Sequence, residues 1–149
     1  DGTVILSGSI GDGHSVASAI ALGADFAYLG TRFIATEEAN AEPEYKKMLE
    51  ESAAKDIVYS SLFIGVLGNY LKPSIENAGM DPENLPDADK TSMNFGSGGN
   101  TDSKAWKDIW GSGQGIGGIQ DSPSVSELVG RLKKEYEEAF NEFKSKMGV

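Results

Sequence analysis

Two glycine-rich segments near the start of the chain carry residue types that bind phosphate. In the first, Gly8, Gly11 and Gly13 lie within six residues, directly after the apolar run 4–6. Glycine lets a backbone approach a ligand closely, and the N–H groups at the start of a following helix favour an anion. This pattern predicts an anion site on the loop.

The second segment, Gly30 and Thr31, follows the apolar run 26–29 in the same way. If the two runs are neighbouring parallel strands, both loops leave the sheet at one edge and can hold a phosphate between them. The residues alone leave a second interpretation open, in which the glycines only form tight turns between strands and helices.

A third glycine cluster resembles a dinucleotide-binding fingerprint by letter only. Gly113, Gly115 and Gly118 match G-x-G-x-x-G, but that motif has meaning only after a strand and with an acidic residue closing the next strand. Here the preceding residues 104–110 have a helical pattern, so we predict no dinucleotide site. The chain also contains no G-x-x-x-x-G-K-[ST] sequence and therefore no P-loop.

Few other side chains are candidates for acid–base chemistry. His14 is the single histidine, and its place after the glycine turn is more typical of a helix-start or surface residue than of a base. Glu37 and Glu38 are adjacent, so their side chains point apart and are interpreted as solvated charge. Asp12 is expected to cap the following helix through its carboxylate.

The elements that must position these loops follow from hydrophobic periodicity. Residues 4–6 are apolar at every position, which is typical of a strand buried on both faces of a parallel sheet. Apolar residues at helical spacing over 16–21 predict a helix that stops at Gly23, and residues 26–29 predict a second strand. This order is that of a parallel strand–helix–strand crossover.

The rest of the chain has one strong signal and several weak ones. Pro43 suits a first helical turn, and that helix is predicted to run to about Ala54. Residues 57–64 predict a strand or a buried loop, and residues 72–103 predict mainly irregular structure with one or two helical turns. Ser124 and Glu127 have the spacing of a capping box before a long amphipathic helix.

Composition limits the class of protein. The 149 residues have 39% hydrophobic content and a net charge of −10, which is typical of one globular domain and argues against nucleic acid as a partner. The chain has no cysteine and no apolar stretch of membrane-spanning length, so we expect neither a thiolate metal site nor a membrane segment. No signal peptide is visible, and we expect a cytoplasmic protein.

The residues around the two loops resemble a known family. The segment "SGSIGDGHSVASAIALGADFAYLGTRFIATEEA" is similar to the last two βα units of the nitronate monooxygenases, flavin-dependent (β/α)8 barrels also called 2-nitropropane dioxygenases. The similarity continues to the final helix through "EYKKMLEESAAKDIVY", "GNYLKPS", "MNFG", "KAWKDIW" and "GSGQGIGGIQD". The joint occurrence of these motifs at these spacings is specific, although each glycine motif alone is weak.

The resemblance implies an α/β fold that forms the C-terminal part of a (β/α)8 TIM barrel, with the two strands as its seventh and eighth. Barrels bind phosphate on the loops after these strands. The implied cofactor is flavin mononucleotide (FMN), and the implied phosphate-binding residues are Gly8, Ser9, Leu29, Gly30 and Thr31.

Three positions qualify this expectation. Ser9 stands where the family usually has a second glycine, so its hydroxyl either donates to the phosphate or crowds it. Tyr28 stands where many members have glutamine, and Gln114 is expected nearer the mouth of the barrel. The family's catalytic histidine lies on an earlier strand, so no catalytic residue is expected in this chain. We also expect no metal ligand.

The resemblance divides the chain into three parts. Residues 1–40 are the last two βα units, residues 41–110 are a helix with an irregular covering segment, and residues 111–149 are a glycine-rich loop with the C-terminal helix. Within the covering segment, residues 86–103 are rich in Gly, Ser, Asn and Asp and are predicted to be irregular and mobile, near the barrel mouth.

A whole barrel takes about 250 residues or more, so we expect this chain to be the C-terminal portion of a longer enzyme that requires the missing N-terminal part. The implied reaction is the oxidation of alkyl nitronates by molecular oxygen. The alternatives are a flavin-dependent NAD(P)H:quinone reductase, an enoyl-thioester reductase, or a non-catalytic fragment that acts only as a scaffold.

Overall fold

The computed structural model describes residues 2–87 and 108–148. It divides into two compact units, one formed by Asp1–Glu51 with Gly115–Val149 and the other by Ser52–Gln114. Residues 88–103 of the segment predicted to be irregular lie outside the described residues.

The described elements are strands, α-helices and short 3-10 turns, which confirms an α/β chain. The strands are β1 (Ile5–Ser7), β2 (Phe26–Tyr28), β3 (Ile57–Ser60) and β4 (Gly68–Leu71). The α-helices are α1 (Gly13–Ala21), α2 (Thr31–Ile34), α3 (Pro43–Glu51), α4 (Lys72–Asn77) and α5 (Val125–Met147). The 3-10 turns are Ala54–Asp56 and Gln114–Gly118.

In the first unit, β1 and β2 pair in parallel with α1 between them in the chain, which confirms the predicted order of elements. Asp12 caps α1 as predicted, because its carboxylate accepts a hydrogen bond from the Ser15 N–H at 2.7 Å. The helix stops at Gly23, whose φ of +96° is the left-handed conformation that glycine adopts without strain.

The longest helix, α5, begins at the predicted capping box. The Ser124 hydroxyl accepts a hydrogen bond from the Glu127 N–H at 3.3 Å, and the Glu127 carboxylate accepts one in return from the Ser124 N–H. Leu128 is buried in the first unit. The local pattern of the sequence therefore fixes where this helix starts.

A glycine brings α1 close to α5. A Cβ atom on Gly13 would overlap the Leu132 carbonyl oxygen and the Tyr136 nitrogen, and it would lie 2.6 Å from the Glu135 Cβ. Real Cβ atoms do not approach backbone this closely, so a side chain at this position would force the two helices apart.

The two parallel strands are far more exposed than their apolar sequence predicts. The exposed fraction is 58% for Ile5, 60% for Phe26 and 63% for Tyr28. Among the described residues, β1 and β2 pair with each other and with no further strand. The predicted burial is absent because a two-stranded sheet leaves its apolar residues without neighbouring strands to cover them.

The second unit is built on the antiparallel pair β3 and β4, with α4 following β4 directly. The open prediction for residues 57–64 is resolved as a strand that ends at Ser60. The Phe63 and Tyr70 rings meet edge to face with centroids 4.7 Å apart, and both belong to a buried cluster with Ile75 and Ile109. None of the helices described has the length and apolar character needed to cross a membrane.

Candidate functional site

The two glycine loops leave the parallel sheet at the same edge. Ser7 at the end of β1 lies opposite Tyr28 at the end of β2. The chain continues from Ser7 into Gly8 and from Tyr28 into Leu29. The two segments that are predicted to bind phosphate therefore start side by side.

The glycines nearest this edge face open space. A Cβ atom on Gly8 or on Gly30 would meet no heavy atom within 4 Å, and both residues are exposed. Gly8 has a φ of +97°, a backbone conformation that residues other than glycine rarely adopt. The backbone at both positions is therefore accessible to a ligand that approaches the sheet edge.

Ser9 has an unusual backbone conformation. Its φ is +56°, and it is the single non-glycine residue with a positive φ among the residues described. Gly115 packs against it, since a Cβ on Gly115 would lie 2.9 Å from the Ser9 Cα. Gly115 of the apparent dinucleotide motif thus has a packing role against the first loop.

The start of α1 is not open to an anion, contrary to the sequence-based expectation. The N–H groups of Gly11 and Asp12 both donate to the Ser15 hydroxyl at 3.1 Å, and the Gly13 N–H donates to the Glu135 carboxylate at 2.8 Å. The close approach of α5 at Gly13 brings that carboxylate to the helix start. The N–H groups of Gly11, Asp12 and Gly13 are therefore already engaged within the chain.

The second loop passes directly into α2. Gly30 precedes the helix, and its carbonyl oxygen accepts a hydrogen bond from the Phe33 N–H at 3.0 Å. Leu29 and Thr31 on either side of Gly30 are half-buried. The turn thus joins the end of β2 directly to α2, and contacts that hold α2 also hold one side of the turn.

Arg32 holds α2 from inside the unit. Its side chain is only 3% exposed, and its guanidinium donates to the Ala35 carbonyl oxygen at 3.0 Å, to the Asp121 carbonyl oxygen at 3.1 Å and to the Asp121 carboxylate at 2.8 Å. Burial lowers the pKa of Arg32, and the negative charge of Asp121 opposes that shift. The cation beside Thr31 is thus committed to an ion pair within the chain.

Asp121 also binds a second arginine. The Arg131 guanidinium donates to both carboxylate oxygens of Asp121, at 3.0 and 2.7 Å. This hydrogen bonding holds the pKa of Asp121 below its usual value, despite the opposing effect of partial burial. The carboxylate is therefore charged at neutral pH and links α2 to α5.

Sequence reasoning missed Arg32, Asp121 and Glu135. One signal was present, because Arg32 is the only Lys or Arg in the first 45 residues. A lone arginine in an apolar segment needs an anionic partner if it is buried. The identity of that partner, 89 residues further along the chain, has no local signature.

Other candidates have structural roles or lie apart. His14 is an exposed residue of the first turn of α1, as predicted. Glu38 is not simply solvated, because its carboxylate accepts the Val125 N–H at 2.8 Å and so caps α5. Gln114 belongs to the second unit. Within the two described stretches, no group of three or more His, Cys, Asp or Glu side chains could hold a metal ion.

Comparison with known proteins identifies relatives of this chain. The family model described as nitronate monooxygenase matches residues 3–135. A curated nitronate monooxygenase from Paraburkholderia phytofirmans is 30% identical over an alignment of 146 residues, and the match covers 95% of this chain and 40% of that protein. The chain therefore spans well under half of the length of that relative.

Solved structures of similar fold include a nitroalkane oxidase from Streptomyces ansochromogenes, with a TM-score of 0.71 and 25% identity over 95% of this chain and 41% of that one. FabK from Thermotoga maritima superposes with a TM-score of 0.68 at 21% identity, over 97% of this chain and 47% of its own. The likeness to FabK shows a shared fold.

Proposed function

The chain belongs to the nitronate monooxygenase family, and from this premise we propose that it forms the C-terminal, phosphate-binding part of a flavin-dependent (β/α)8 barrel. The observation that carries the proposal is the pair of loops at one sheet edge, with Gly8 and Gly30 both bordered by open space. This arrangement suits a ligand group that binds to backbone and small side chains.

The proposed ligand is the phosphate of FMN. Gly8 and Ser9 would contact it from the first loop, and Leu29, Gly30 and Thr31 from the second. The hydroxyls of Ser9 and Thr31 and the backbone N–H groups of the loops are suitable donors to phosphate oxygens. Arg32 would not serve as a direct ligand, because its guanidinium is engaged with Asp121.

The exposed strands support the barrel. Apolar residues on β1 and β2 would be covered by neighbouring strands that the rest of the protein supplies, as in a closed parallel barrel. The 58–63% exposure of Ile5, Phe26 and Tyr28 supports the proposal that this chain requires that N-terminal part. We propose a cytoplasmic location, in keeping with a sequence that contains no cysteine and hence no disulfide bond.

Bound flavin would supply the redox chemistry, namely the oxidation of an alkyl nitronate by molecular oxygen. The residues of this chain would bind and orient the phosphate end of the cofactor. His14 is exposed on the first turn of α1, beyond the hydrogen-bonded Gly11–Gly13 turn. We therefore give His14 no catalytic role and propose that the catalytic residues lie in the part of the protein outside this chain.

The test is FMN binding and turnover in the full-length protein that carries this chain. We expect a yellow protein that oxidises a nitronate with oxygen. Turnover of NADH with a quinone, or of an enoyl thioester, in place of the nitronate would assign the alternative reductase functions. A protein that neither holds nor can be reconstituted with flavin would contradict the proposal.

A single substitution tests the location of the site. Gly30→Val should weaken FMN binding roughly tenfold, because its methyl groups fill the space that the phosphate would occupy. Gly130→Val is the matched control, since Gly130 is an exposed glycine on α5 whose Cβ would also meet nothing within 4 Å. Equal FMN dissociation constants for the two variants would contradict the assigned site.

A further inference from the structure

We infer that Asp121 is a positioning residue for the cofactor phosphate, acting through Arg32 on the Gly30–Thr31 turn. This inference rests on the proposed function, since it concerns the same site. Asp121 does not touch the ligand in this assignment. It determines where one of the two phosphate-binding loops lies.

The first step of the argument is the coupling of Arg32 to the turn. Arg32 follows Thr31 directly in the four-residue helix α2. Two of its three hydrogen bonds reach Asp121, and the third closes α2 at the Ala35 carbonyl oxygen. Loss of these hydrogen bonds would therefore remove contacts that hold the short helix, and the turn before it, in place.

The second step is that Asp121 has a fixed position. Its carboxylate is held by both terminal nitrogens of Arg131, a two-point arrangement that restricts both distance and orientation. Arg131 lies on α5, so the Gly30–Thr31 turn is tied to that helix.

The third step is that the other loop is tied to the same part of α5. The Gly13 N–H donates to Glu135, which lies four residues after Arg131 and hence on the same helix face. Both segments are therefore connected by hydrogen bonds to one helical turn, Arg131–Glu135. A ligand that spans the two loops is sensitive to the spacing that this turn sets.

A comparison of two flavins distinguishes a positioning role of Asp121 from a general effect on protein stability. Donors to a phosphate must lie within about 0.5 Å of their ideal positions to bind well. Riboflavin has the flavin ring and the ribityl chain of FMN but no phosphate. Loss of the Asp121 link should therefore weaken the binding of FMN and leave that of riboflavin unchanged.

The experiment measures dissociation constants for FMN and riboflavin in the full-length protein and in its Asp121→Ala variant. We expect FMN affinity to fall about tenfold, as for the loss of hydrogen bonds to a charged group, and riboflavin affinity to change less than about twofold. Glu138→Ala is the matched control, because it removes the exposed pair with Lys134 on the same helix. The control should retain both affinities.

Each other outcome overturns a defined part of the argument. If Asp121→Ala lost affinity for FMN and for riboflavin equally, or lost affinity for neither, its preference for FMN would be unchanged. Either result would overturn the inference alone. A wild-type protein that binds the two flavins equally would overturn the proposed phosphate site and the inference with it.

If Asp121→Ala does not fold, Asp121→Asn provides the test, since it keeps the side-chain volume and one acceptor oxygen. It should show a smaller loss that is again specific to FMN. A loss shared equally by riboflavin in this variant would overturn the inference.

Discussion

Ser9 combines a left-handed backbone with a hydroxyl group at the proposed phosphate site. A φ of +56° in a non-glycine residue is unfavourable by about 1 kcal/mol or more. A glycine would avoid this strain, so the pair of variants Ser9→Gly and Ser9→Ala separates the backbone from the hydroxyl.

We predict that both Ser9 variants lose FMN affinity by about fivefold, the effect of one hydrogen bond, when FMN dissociation constants are measured in the full-length protein. Ser9→Gly should be no less stable than the wild type, because relief of the strain offsets the added flexibility of glycine. Unchanged affinity in both variants would show that the hydroxyl makes no contact with the phosphate.

The charge of Asp121 makes the free energy of unfolding depend on pH. Its pKa is lowered in the folded protein, chiefly by the hydrogen bond from Arg131. A lowered carboxyl pKa adds stability above the unfolded value of about 3.9, and this stability is lost as the pH falls through the native value. The difference in free energy of unfolding between wild type and Asp121→Asn should therefore shrink between pH 7 and pH 3. A difference that stays constant over this range, in denaturant titrations, would contradict the assigned ion pair.

At the scale of elements, the contact between α1 and α5 is expected to be intolerant of a single methyl group. Gly13→Ala should lower the free energy of unfolding by about 2–3 kcal/mol, because its Cβ would overlap the backbone of α5. Gly130→Ala, at an exposed position of α5, should instead raise it by up to about 1 kcal/mol through helix propensity. Denaturant unfolding of the two variants measures both effects, and a change of equal sign would be inconsistent with the packing described.

The elements that sequence analysis predicted well are those with local causes. The side chains of Asp12 and Ser124 accept hydrogen bonds from N–H groups three residues away, so a short local segment determines where each helix starts. The same analysis could not find the partner of the Gly13 N–H, because Glu135 is 122 residues distant and reaches it only through the packing of two helices. The helix-start N–H groups that were expected to favour an anion are therefore occupied by the chain itself.

Whole-molecule behaviour follows from the exposed strands. We predict that the 149-residue chain, expressed alone, associates through β1 and β2 and has no nitronate-oxidising activity even with added FMN. Apolar strands without neighbours leave unpaired edges that pair with other chains, and a phosphate site alone offers no pocket that excludes water.

Light scattering and a steady-state assay check this prediction on the purified chain, with the full-length protein as the control. A monodisperse monomer whose turnover matches the full-length protein, and which loses that turnover on His14→Ala, would contradict both the barrel assignment and the placement of catalysis outside this chain.

The Arg131–Glu135 turn also determines when the site is completed. Both loops, at residues 8–31, are synthesised about a hundred residues before the helix turn that holds them, and domains form in the order in which the ribosome releases them. The nascent chain thus carries both loops without their common support while the roughly one hundred residues between them and that helix turn are added. We therefore expect flavin to be retained only once α5 has been synthesised, and a polypeptide that terminates before α5 should lose the cofactor.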